Sequence, residues 1–424
     1  MSTPTDRVDL VVRDCAYVVA GRAPFEVHTD TSIVIDDGRI VGLVPAGAPL
    51  PVARRTIDGR HRAVVAGFAN AHTHTAFNHH RGAEPELDLD AWLVHVFAES
   101  ATIDPEWAGA AALDGYRELL RAGFTSAVDH HYAQAHGDNA IAVARAAAVS
   151  GVRAAIAPTA SDLGDGAVGI DEGIRRLEAV REVALGEGAV TPWVALASPG
   201  RRESAERCRV LLEWARAHGS RMTFHYAETT AWFALAEQWG ARRMVDVLVD
   251  LGLLGPDIVV AHGVWFGPDD FDVLADTGTW ISYNPVANGY MGDGITPVIA
   301  MREAGVNVCL GTDTVQCCGR ADPFEMMKVG ALLQKAVSTD ARALVARDVL
   351  AMATELGHRA IGNVGVGVIE PGAVADLVLV DIDQPRLQPV HDIVWTLVYA
   401  ATVADVRTVI VGGEPRVIDG LVVA

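Results

Sequence analysis

Apolar residues along the chain change their spacing twice. From residue 8 to 62 they fall in short β-branched runs broken by Asp-Gly turns: VDLVVRDCAYVV, TSIVIDDGRIVGLVP and ARRTIDG, the pattern of strands joined by hairpins. The same texture returns after Gly365 in ADLVLVDID, RTVIVGG and RVIDGLVVA. Between these ends, AVVAGFAN, TSAVDHH, VRAAIAPT, TPWVALAS, MTFHYAE, DIVVAHG, TWISYNP and VNVCLGTD are eight candidate strands. Segments with helical period separate them, among them EWAGAAALDGYRELLRAG, DEGIRRLEAVREVALG and ERCRVLLEWARAHG. Strand-helix alternation of this kind predicts an α/β fold, a parallel (β/α)8 TIM-like barrel. The two β-rich ends are too short for independent sandwiches and are expected to pair into one small β-sandwich domain. The expected organisation is a composite β-sandwich from residues 1–62 and 363–424, and a barrel at 63–362.

Composition narrows the class. Half of the 424 residues are hydrophobic and 21% are charged, which suits a folded protein with a large core. No apolar run reaches the roughly 18 residues a bilayer crossing needs. The polar start, MSTPTDRVDL, lacks the layout of a secretion signal. Five scattered cysteines, Cys15, Cys208, Cys309, Cys317 and Cys318, include no CxxC pair, so neither a disulfide framework nor a thiolate zinc site is expected. A cytoplasmic protein fits these features. The formal net charge of −20 opposes binding to nucleic acid and to acidic membrane surfaces. It leaves a small-molecule partner, and a homo-oligomer is the commoner state for such enzymes.

The chemistry-bearing residues sit where a barrel carries its chemistry, at the C-terminal ends of strands. The first strand ends in His72 and His74, the fifth in His225 followed by Glu228, the sixth in His262, and the eighth in Asp313. The two-residue period of a strand turns His72 and His74 to one side. Two imidazoles so spaced can chelate one ion, with a third imidazole and a carboxylate completing an N3O shell that suits zinc; iron(II) accepts the same ligands. A single strand-end histidine is more often an ordinary core or loop residue, and a lone Asp in GTD is usually a turn former. Five such coincidences in a chain with only 15 histidines favour a metal site. His79, His80, His130 and His131 have no metal-ligand spacing, and pocket lining and plain surface are equal readings for them.

HTH at 72–74, HYAE at 225–228, AHG at 261–263 and GTD at 311–313 resemble the amidohydrolase superfamily. FANAHTHTAFNHHRG, NPVANGYMGDGITPV and ADLVLVDIDQPRLQPVHD are similar to its ATZ/TRZ branch, which holds triazine hydrolases and guanine and S-adenosylhomocysteine deaminases. The resemblance covers essentially the whole chain. It implies that His72, His74, His225 and Asp313 bind one divalent metal, while Glu228 and His262 act on the substrate side. Binuclear relatives bridge two ions with a mid-barrel lysine. Here the only lysines are Lys328 and Lys335, both after the eighth strand, so one metal is expected. Many relatives of the branch carry Gln three residues after the HxH pair; this chain has Phe77, which points to a more apolar ligand surface.

A metal with three imidazoles and a carboxylate brings the pKa of its bound water towards about 7. Asp313 is placed to take that water's proton and deliver it to the leaving group, and His262 to orient the water or polarise the group under attack. Glu228 can protonate a ring nitrogen and so make an adjacent amino-bearing carbon electrophilic. The expected activity is therefore hydrolytic deamination of an amino-substituted heterocycle such as a purine, pteridine or triazine. The alternatives are the same displacement with a chloro or alkylamino leaving group, and hydrolysis of an amide, urea or carbamate. Phe77, Trp265 and Tyr290 are candidate stacking faces, and Asn284 and Asn288 candidate readers of ring polar atoms. His130 and His131 are further candidates for the pocket. Turn and core roles explain these residues as well. Trp92 reads as packing, and Cys317 and Cys318 as loop residues.

Overall fold

The computed structural model describes residues 7–83, 86–133, 136–159, 161–163, 167–186 and 188–423. Both ends of the chain enter one nine-stranded sheet. Val8–Ala20 is central on one side, pairing antiparallel with Glu26–Asp36 and parallel with Ala53–Asp58 and Arg62–Ala66. Arg62–Ala66 then pairs antiparallel with Leu377–Asp381, which continues through Val406–Val411 to Glu414–Ile418. Leu10, Val12, Ile33, Ile35, Leu377 and Leu379 alternate along these strands and meet in a shared core.

The middle of the chain is a (β/α)8 barrel. Among the described residues its strands are Phe68–Thr73, Phe124–His131, Arg153–Pro158, a fourth at 190–196, Met222–Tyr226, Ile258–His262, Trp280–Tyr283 and Asn307–Leu310. Neighbours pair in parallel throughout. The fourth strand is broken at Trp193 but remains continuous, because the Trp193 amide donates to the Ile156 carbonyl (2.9 Å) and Ala195 bridges to Thr159. A parallel bridge between Thr73 and Asp313 joins the first strand to the end of the eighth. These strands are apolar almost throughout, as a sheet covered on both faces requires.

One run divides where the sequence shows no break. AVVAGFAN is not a single strand: Arg62–Ala66 belongs to the terminal sheet and Phe68–Thr73 to the barrel. The division falls at Gly67, where an added Cβ would lie 2.9 Å from the Cβ of Thr125. Among the described residues, two α-helices and the short 3-10 helix Thr75–His80 lie between the first and second barrel strands. Leu89–Ser100 lies over the mouth, and Pro105–Ala122 is capped by Asp104, whose carboxylate accepts from the Trp107 amide (2.8 Å). Among the described residues no helix is long and apolar enough to cross a membrane.

Candidate active site

The strand ends bring His72, His74, His225 and Asp313 together. Asp313 Oδ1 lies 3.1 Å from His74 Nε2 and 3.6 Å from His72 Nε2, and His225 Nε2 lies 3.4 Å from His74 Nε2. The Nδ1 atoms of His74 and His225 meet backbone carbonyls, those of His130 (2.5 Å) and Ala197 (3.0 Å). A carbonyl only accepts, so both Nδ1 atoms carry the hydrogen and both Nε2 atoms are bare lone pairs. Two lone pairs facing each other across 3.4 Å repel unless a cation lies between them. His72 adds a fully buried imidazole in which neither nitrogen has a hydrogen-bond partner. Donor atoms of His72, His74 and Asp313 fall within 4.8 Å of one another, as do those of His72, His225 and His262. The donor set fits a divalent ion of borderline softness.

Burial and the neighbouring imidazoles hold His72 well below its usual range and His225 down to about 3, so both stay neutral, the state a metal ligand needs. The backbone is fixed with equal care. The Asp313 amide donates to the His72 carbonyl (2.9 Å), and Asn70 and Thr312 bond to each other through side chain and backbone (2.7 and 3.0 Å). Behind His74, the buried Asp129 accepts from the Tyr116 hydroxyl (2.6 Å) and from both the amide and the hydroxyl of Thr75. Asp313 and His262 adopt φ of 66° and 77°, a conformation that costs a non-glycine residue free energy and is tolerated where the surroundings enforce it.

Gly311 sits at the tightest point of this region. A Cβ there would lie 2.5 Å from Asn284 Oδ1, 2.6 Å from Ser282 Oγ and 2.9 Å from His72 Cβ. Gly311→Ala is therefore expected to lower stability by about 1–3 kcal/mol, the usual cost of overpacking, and to weaken metal retention by displacing His72. Chemical denaturation and metal content per chain check both.

Glu228 and His262 form the other wall. Glu228 Oε1 is 3.4 Å from His262 Nε2, which is 4.0 Å from Asp313 Oδ2. Burial, followed by the negative charges of Asp293 and Asp313, pushes the Glu228 carboxyl well above the usual carboxylate range. Burial holds His262 down to about 4, so its imidazole is neutral. The cavity in front of these groups is walled by Leu89, Trp92, Leu93 and Phe97 of the covering helix, by Tyr132 and Trp232, and by Met291 and Cys317. Arg201 and Arg202, from the loop after the fourth strand, stand at its rim.

The proposed pocket residues are placed differently from their sequence reading. Phe77 is buried and stacks on Tyr132 (4.7 Å between centroids), so it backs a wall residue instead of facing the cavity. Trp265 donates from Nε1 to the Asp293 carbonyl (2.8 Å) and packs edge-on against Phe233. Tyr290 is 43% exposed, and its hydroxyl accepts from the Glu86 amide (2.9 Å). Asn284 and Asn288 reach His262 Nδ1 (3.3 and 2.9 Å) and do not line the cavity. His130 is buried against His225 at 4.2 Å between centroids, behind the cluster; strand alternation sends the buried His131 to the other face. His79 pairs with Asp114 (3.0 Å), and the His80 ring packs on Trp107. Trp92 and Cys317, read as packing and loop residues, line the cavity instead. Sequence reasoning missed Tyr132, Arg201 and Arg202, although all three follow strand ends; Leu93, Phe97 and Trp232 lie on helices and carry no local mark of such a role.

A family model described as "Amidohydrolase family" matches residues 63–416. The 5'-deoxyadenosine deaminase of Methanosarcina barkeri is 34% identical over 421 residues, covering 98% of this chain and 94% of that protein. The 5-methylthioadenosine/S-adenosylhomocysteine deaminase of Thermococcus kodakarensis is 33% identical over 372 residues, covering 85% and 84%. In structure, the chain is similar to an adenosine deaminase from Xanthomonas campestris with bound zinc, with a TM-score of 0.92 at 27% identity over 99% of this chain and 95% of that one.

Proposed function

The chain belongs to the amidohydrolase family, and from that membership we propose that it is a zinc-dependent aminohydrolase of the ATZ/TRZ branch that deaminates an adenine-type nucleoside and releases ammonia. The observation that carries the reading is the placement of Glu228, a buried carboxyl 3.4 Å from His262 Nε2 and beside a cluster built for a cation. An acid in that position serves an amidine-like carbon, whose ring nitrogen must gain a proton before water adds. An amide or urea needs it less. Relatives named for 5'-deoxyadenosine and 5-methylthioadenosine support the substrate class.

His72, His74, His225 and Asp313 would hold the ion. A divalent metal bound to such a set acidifies water towards neutral pKa. Glu228 donates its proton to the ring nitrogen next to the amino-bearing carbon. Asp313 takes a proton from the attacking water and passes it to the amino nitrogen, which leaves as ammonia. As the tetrahedral carbon collapses to the carbonyl, the remaining hydroxyl proton returns to Glu228, and the balance is one water consumed for one ammonia. His262 steadies the water and the developing oxygen. Trp92, Tyr132 and Trp232 offer the flat faces on which a purine packs.

All five cysteines are free, which supports a reducing cytoplasm, and a symmetric homo-oligomer is the assembly proposed. Ammonia release from zinc-loaded enzyme should be seen with adenosine, 5'-deoxyadenosine and 5'-methylthioadenosine, and not with ureas or linear amides. Activity on ureas alone would overturn the reading. Elemental analysis of the purified enzyme, showing zinc and not iron, tests the metal.

A further inference from the structure

Three imidazoles around the site, His74, His225 and His262, have a partner at Nδ1, and they fall into two kinds by what that partner is. In His74 and His225 that atom meets a carbonyl, so the opposite nitrogen presents a lone pair. In His262 it meets side-chain amide nitrogens, Asn288 Nδ2 at 2.9 Å and Asn284 Nδ2 at 3.3 Å. We propose that Asp293 and Asn288 are positioning residues that hold His262 as the Nε2–H tautomer, with that hydrogen aimed at the reacting atoms. The proposal rests on the aminohydrolase reading for its assay, but the tautomer does not.

An asparagine by itself leaves the direction of its amide open, since either end can face a histidine. Once ionised, Asp293 removes the choice. Its Oδ2 lies 3.2 Å from Asn288 Nδ2, and an ionised carboxylate has no hydrogen to give. The NH2 end must therefore face Asp293, and its second hydrogen points to His262 Nδ1. Nδ1 accepts, so the proton sits on Nε2. That atom is buried, has no hydrogen-bond partner, and lies 3.4 Å from Glu228 Oε1 and 4.0 Å from Asp313 Oδ2. The opposite tautomer would set a lone pair against the ionised Asp313 carboxylate.

The relay is rigid because one turn carries it. The Asn288 amide donates to the Asn284 carbonyl, and the Asp293 amide to the Asn288 carbonyl, each at 3.0 Å. Trp265 clamps the Asp293 carbonyl, and the Thr296 hydroxyl donates to the His262 carbonyl (2.9 Å). Residues that the sequence marked as substrate contacts thus serve the substrate indirectly, by orienting the imidazole that meets it.

Asp293→Asn is isosteric and presents either end of an amide to Asn288, so the direction of that side chain is released. With zinc-loaded enzyme at mildly alkaline pH, where Asp293, raised by burial to about 7, is ionised, kcat is expected to fall about tenfold while KM stays within about twofold. Zinc content should equal the parent's. Nitrogen NMR of histidine-labelled enzyme, with the His262 signal assigned by its loss in His262→Asn, should show Nε2–H in the parent and mixed tautomers in Asp293→Asn. Asn288→Asp, which forces an acceptor onto Nδ1, should invert the tautomer and cost more, about 100-fold. Parent-like kcat in Asp293→Asn, an unchanged nitrogen pattern, or a loss that tracks zinc would each overturn the proposal. The spectrum needs no substrate, so a parent that deaminates nothing would sink the proposed activity without touching the tautomer.

Discussion

Glu228→Gln should reduce turnover by about 10²–10⁴-fold and leave the zinc in place, whereas Asp313→Asn should lose both. Gln keeps the size of Glu and its place beside His262, but it has no acidic proton for a ring nitrogen. Glu228 lies 3.4 Å from His262, a residue outside the proposed N3O shell, so its removal spares the ion. Asp313 is different: its Oδ1 faces the Nε2 atoms of His72 and His74 at 3.6 and 3.1 Å. An amide there withdraws the negative charge that balances a divalent cation. It also gives the attacking water no base. Ammonia release and zinc per chain, measured on the same preparations after gel filtration, separate the two roles. Equal zinc loss in both variants would remove Glu228 from the substrate side.

The strand ends were legible because two constraints coincide there. A barrel must bury its strands on both faces, so each reads as an apolar run, and a polar residue at its end stands out. His72, His74, His225, His262 and Asp313 were all found this way, and the structure brings them together. The walls follow no such rule. Trp92, Leu93 and Phe97 look like one face of a packing helix, and only the path of the chain between the first two strands sets Leu89–Ser100 over the mouth. Asn284 and Asn288 were marked as candidate readers of the substrate's polar atoms. In the structure both reach His262 Nδ1, and sequence cannot separate the two targets because a side-chain amide offers the same donors to a ligand and to a histidine. Gly67 shows a third limit. An apolar run on either side of a glycine reads as one strand until the close approach of Thr125 shows why the chain changes sheets there.

Removing zinc from the purified enzyme should abolish turnover and lower the unfolding temperature by several degrees, and readdition should restore both. Ligand that binds only the folded state stabilises it by RT ln(1 + [L]/Kd), about 4 kcal/mol when free zinc exceeds Kd a thousandfold. Here a second effect has the same sign. Without a cation, the bare Nε2 atoms of His74 and His225 face each other at 3.4 Å, and buried His72 has no partner at either nitrogen. The apoprotein therefore carries a repulsion and unsatisfied polar atoms that the ion relieves. His225→Ala removes one of the facing lone pairs together with one ligand. Its metal-free form is expected to unfold near the temperature of the metal-free parent, and zinc should no longer raise that temperature. Unfolding followed by circular dichroism with chelator and with excess zinc decides the matter. Identical curves in the parent, or a zinc shift that survives His225→Ala, would show that these imidazoles do not converge on an ion.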